Sequence, residues 1–77
     1  MSGQQIEQLV KMANQIALNF GESRDAELAA QRTGEHLQKF WTAAMREQLS
    51  AYAAEGGADL SPAVKRMLAS ASGRQDL

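Results

Sequence analysis

No stretch of this chain alternates apolar and polar residues as a half-buried strand does, and its longest periodic run is helical. Ile6, Leu9, Val10, Ala13, Ile16, Ala17 and Phe20 recur at helical spacing and form one continuous stripe. Gln5, Gln8, Lys11, Gln15 and Asn19 cover the opposite side. Valine and isoleucine occur only twice each, so the β-branched residues that favour strands are scarce. Alanine, glutamine, glutamate, leucine, methionine, arginine and lysine supply much of the rest, and all are good helix formers. The expected fold is all-α, a small bundle of about four short helices in a single domain spanning 1–77.

Punctuation residues set the expected boundaries. The first helix covers about 4–20, with Ser2 and Gln5 spaced as a capping box and Gly21 as its terminator. Met12 and Leu18 lie off its stripe, so they either widen the core face or stay exposed to meet something else. The second helix covers about 25–40. Asp25 and Glu27 suit its N-terminus, and Ala26, Ala29, Ala30, Thr33, Leu37 and Phe40 form a largely small-residue apolar face. Gly34 inside it weakens the helix by about 1 kcal/mol relative to alanine. The third covers about 43–55, with Thr42 as N-cap, Met45, Leu49, Tyr52 and Ala53 as its stripe, and Gly56-Gly57 as its stop. Ser61-Pro62 opens the fourth, at about 62–70, because proline's missing N–H is not needed in the first turn. Leu60, Val64, Met67 and Leu68 point inward there, and 71–77 reads as a loose tail.

The core is small. Only twenty of the 77 residues are apolar and larger than alanine, and fourteen more are alanines. A chain this short buries only about 60–65% of the surface it exposes when unfolded. A monomer is therefore marginal, and a subunit that completes its core against a partner is a real option.

Several functions are excluded by count. Cysteine is absent and histidine occurs once, so thiolate metal sites, cysteine-ligated clusters and multi-histidine zinc sites cannot be built. No metal site or bound cofactor is expected in this chain. No apolar run approaches the ~20 residues of a membrane-spanning helix, and the polar start from Met1 to Gln8 does not resemble a secretory signal. Cytoplasmic localisation is the expectation. The net charge is −1, and the basic residues are interspersed with acids, so the basic footprint of a nucleic-acid binder is missing.

Few residues could carry chemistry. His36 could act as a general base beside Glu35 or Glu22, but no nucleophile lies nearby in sequence. A structural or interface histidine is the better reading, and no catalytic residue is assigned. Phe40 and Trp41 read either as core or as a partner anchor. Adjacent helical residues point about 100° apart, so both face one core only if it wraps the junction. Lys39, Arg46 and Glu47 read as a solvated face, and Lys65-Arg66 is too short for a nucleic-acid patch. Gly56-Gly57 lacks the context of a phosphate loop. Met12, Met45 and Met67 suit adaptable core filling.

The joint pattern is more distinctive. Lys11-Met12-Ala13-Asn14-Gln15-Ile16-Ala17 is followed by His36-Leu37-Gln38-Lys39-Phe40-Trp41-Thr42. Met45-Arg46 comes next, then Gly56-Gly57-Ala58-Asp59-Leu60-Ser61-Pro62-Ala63-Val64. Over about residues 9–68 this resembles the delta subunit of NAD-dependent, molybdenum- or tungsten-containing formate dehydrogenases. It departs at Ala43, where members often carry proline. The resemblance implies a non-catalytic accessory subunit that docks on the large catalytic subunit and supports its assembly, stability or cofactor maturation. Molybdopterin, iron–sulfur clusters and flavin are implied for the partner subunits. A mixed apolar–polar docking face is expected around His36, Phe40, Trp41 and Arg46. The alternative is a small helical nucleic-acid-binding or regulatory module, with a helix-turn-helix drawn through the second and third helices. Its recognition helix would open Ala43-Ala44-Met45, which offers little to read base edges.

Overall fold

The computed structural model describes residues 2–75, and side chains for 5–69. The helices are α1 (Ser2–Asn19), α2 (Ala26–Phe40), α3 (Ala43–Ala54) and α4 (Pro62–Gln75). The expected all-α bundle is what forms, with no strand among the described residues. Side-chain caps set the starts of three helices. Asp25 accepts a hydrogen bond from the Leu28 N–H at 3.1 Å, and Thr42 accepts one from the Met45 N–H at 3.2 Å. Ser61 Oγ accepts from the Val64 N–H at 3.4 Å. Each satisfies a first-turn donor that the helix itself leaves unpaired. The proposed Ser2 cap lies outside the described side chains. α4 runs to Gln75, past its expected end near 70, so 71–75 continue the helix, while 76 and 77 lie outside the described residues.

Turn glycines follow the same logic. Gly57, between α3 and α4, has φ +55°, and a Cβ there would lie 2.9 Å from Leu60 Cδ1. Backbone conformation and space both select glycine. Gly34 serves a different purpose, because α2 passes through it unbroken. A Cβ at Gly34 would come 3.2 Å from Met67 Cγ, so its absence lets α4 approach closely. The small face of α2 makes α2 with α4 the most extensive helix pair, while α1 contacts α2, α3 and α4.

The core takes Leu9, Val10, Ala13 and Ala17 from α1, and Ala29, Ala30 and Leu37 from α2. Trp41, Leu49, Leu60, Ala63 and Val64 complete it. Met12 and Leu18 are exposed, as is Leu28. Three expectations need correction, the first being Met12, read as core filler but exposed. Phe20, placed on the α1 stripe, lies just past the helix end and is exposed. Phe40, placed on the apolar face of α2, is 70% exposed. The helix ends at Phe40, and the chain turns Trp41 inward as the C-cap in extended geometry. Only one of the two rings enters the core.

Thr33 is fully buried, and its hydroxyl has no hydrogen-bond partner. An unpaired buried hydroxyl costs about 1–3 kcal/mol. Thr33→Val keeps the shape and removes that cost. The expected result is a gain of about 1 kcal/mol, read as a rise in Tm of about 4–8 °C. A lower Tm would mean that the hydroxyl is bonded after all.

Candidate protein-interaction surface

Two of the exposed large apolar side chains, Phe40 and Phe20, lie beside His36. His36 and Phe40 are one turn apart on α2 and bring their rings to a centroid distance of 4.7 Å at a tilt of 42°. Phe20, just past the end of α1, approaches the same imidazole edge-on at 6.1 Å. Edge-on and tilted arrangements suit the quadrupoles of aromatic rings. The half-buried imidazole therefore neighbours two exposed phenyl rings from different parts of the chain.

The four residues expected to form a docking face are divided. Phe40 is at the surface and His36 is half-buried beside it. Trp41 is 7% exposed and belongs to this chain's own core. Arg46 is half-buried, with its Nε buried and unpartnered. Phe20 joins the surface group, although its position on the α1 stripe suggested core. Its place one residue beyond the last helical turn, just before Gly21, is the signal that could have found it.

Asn14 and Glu22 tie α1 and the turn after it to the start of α4. Asn14 Nδ2 donates to the Asp59 carbonyl at 2.8 Å, and Asn14 Oδ1 accepts from the Ser61 N–H at 2.9 Å. Both ends of one amide thus bind the turn before α4. Glu22 Oε2 accepts from the Ala63 N–H at 2.8 Å, placing a carboxylate at the positive end of α4. Glu22 therefore faces α4 backbone, and the His36–carboxylate pairing that a catalytic reading would need is not among the hydrogen bonds of the described residues.

The remaining surface offers an open hollow between α3 and α4, of about 330 Å³, bounded by Ala53, Gly57, Leu60 and Leu68 with Lys65 at its edge. Among the described residues, no group of three or more His, Asp or Glu side chains is placed to hold a metal ion. No described helix is long and apolar enough to cross a membrane.

These features define a small, single-domain, all-helical protein whose distinctive surface is an aromatic group centred on an imidazole. A family model for the NADH-dependent formate dehydrogenase delta subunit FdsD matches residues 8–68, and the chain belongs to that family. No curated protein and no solved structure gives a significant match. The matched span runs from within α1 to Leu68 in α4, so it includes Asn14, Glu22, the aromatic group and the α4 start.

Proposed function

We propose that this chain is a non-catalytic accessory subunit of a cytoplasmic NAD-dependent formate dehydrogenase. It docks on the large catalytic subunit and supports that subunit's assembly, stability or cofactor maturation. The observation that carries this reading is the family match over residues 8–68. The partner subunits hold the molybdopterin, iron–sulfur clusters and flavin, and formate oxidation and NAD reduction take place on them. Support comes from the lack of cysteine, since a chain without thiolates has no ligands for an electron-carrying iron–sulfur cluster.

The docking face is centred on His36 and Phe40, with Arg46 contributing from the first turn of α3 and Trp41 holding the corner from beneath. Docking stabilises the partner by mass action: at a concentration of about 100 times Kd, the bound state gains about 2.7 kcal/mol. The test is mild affinity purification of the tagged chain from its native host, followed by intact-complex mass and metal analysis. Recovery in fixed ratio with a large, iron-rich, molybdenum- or tungsten-containing subunit is expected. A free chain, or one recovered with nucleic acid alone, would defeat the reading.

A further inference from the structure

We infer that Phe40, His36 and Phe20 form a preformed anchor that seats in an apolar cup on a partner protein whose rim carries carboxylates. This rests on the docking reading above and adds which side chains enter the partner and what chemistry receives them.

Three observations carry the anchor. Phe40 has the greatest exposure among the described large apolar side chains, at 70%. Its position is fixed from both sides, because the Trp41 N–H donates to the Leu37 carbonyl at 2.9 Å and Thr42 caps α3. With Trp41 locked in the core, the chain corner directs Phe40 outward. The ring also rests on His36, which in turn meets Phe20, so the three rings are mutually supported. A ring ordered before binding loses less conformational entropy on docking.

The charge around this tip selects the partner's chemistry. Arg32 lies four residues before His36 and Lys39 three residues after it, so both flank the imidazole on the surface of α2. Both are exposed, and the ion pair found among the described residues, Arg66 with Glu27, involves neither. Glu35 is the sole acid between Arg32 and Phe40 and offsets one of the two cations. The α2 side of the aromatic tip therefore carries two cations against one acid, on a chain whose net charge is −1. An apolar cup edged by Asp or Glu complements both features. Two flanking cations are too few for a nucleic-acid footprint, and membership of a family of enzyme-complex subunits favours a protein occupant.

The test measures binding of the full-length chain to the purified catalytic subunit of its complex, at about 50 mM and about 500 mM salt. Three forms are compared: wild type, Phe40→Ala, and the double variant Arg32→Glu/Lys39→Glu. Phe40→Ala should bind at least about tenfold more weakly, while its circular dichroism and Tm stay at wild-type values. Wild-type affinity should fall severalfold with salt, and the double variant should bind weakly with a flattened or reversed salt response. Undiminished binding by Phe40→Ala would overturn the anchor while leaving the docking reading intact. Salt-independent wild-type binding would overturn the carboxylate rim. Failure of the wild type itself to bind the catalytic subunit, or its capture by nucleic acid alone, would overturn the docking reading and this inference together.

Discussion

Trp41→Ala is expected to remove most of this domain's stability. The indole is 7% exposed and packs in the core formed by all four helices. Truncating a buried tryptophan to alanine costs about 3–5 kcal/mol, from lost burial and the cavity left behind. At about 0.05–0.15 kcal/mol per residue, a chain of this length has only about 4–12 kcal/mol in total. The variant therefore stands near the unfolding threshold. Urea denaturation followed by circular dichroism measures the effect directly, since the substitution removes the chain's single tryptophan fluorophore. A loss below about 1 kcal/mol would mean that the ring is not buried as described. The result also bears on docking. A Trp41→Ala chain that fails to copurify with a partner reports on folding, whereas Phe40→Ala at the exposed neighbouring position reports on contact.

Asn14→Ala should be the second large loss, of about 2 kcal/mol, because it removes two hydrogen bonds worth about 1 kcal/mol each. The Asp59 carbonyl loses its 2.8 Å donor and the Ser61 N–H loses its 2.9 Å acceptor. Both lie in the turn that positions Leu60 and the start of α4. The expected fall in Tm is about 8–16 °C, using about 4–8 °C per kcal/mol for a domain of this size. Asn14→Asp separates the two bonds. It can still accept from Ser61, but it presents a carboxylate oxygen to the Asp59 carbonyl where a donor is needed. It should therefore also be destabilised, and equal stability of wild type, Asn14→Ala and Asn14→Asp would show that the clamp contributes nothing.

Much of the fold was legible because its signals are local. Asp25, Thr42 and Ser61 cap the helices they precede, within three residues of the N–H groups they receive. The stripe Leu9, Val10, Ala13 and Ala17 is buried as its spacing predicts. The interaction surface was harder to read. His36 and Phe40 are one helical turn apart, so their pairing follows from sequence. Phe20 reaches the same imidazole from another helix end, and no local pattern encodes that meeting. Asn14 illustrates the same limit. Nothing in the α1 pattern marks its partners, and its two bonds span 45 and 47 positions.

The sequence by itself determined the helical class, the order of four helices and most of their starts. Periodicity and capping act over a single turn, so those choices are made before distant parts of the chain meet. Only the tertiary structure decided which ring of the Phe40-Trp41 pair is buried. Adjacent side chains at a helix end diverge by about 100°, and the direction taken by α3 determines which one meets the core. It likewise decided that Asn14 and Glu22 would anchor the start of α4. Their partners are backbone groups more than 40 residues away, present at every sequence position and selected only by where packing brings the turn.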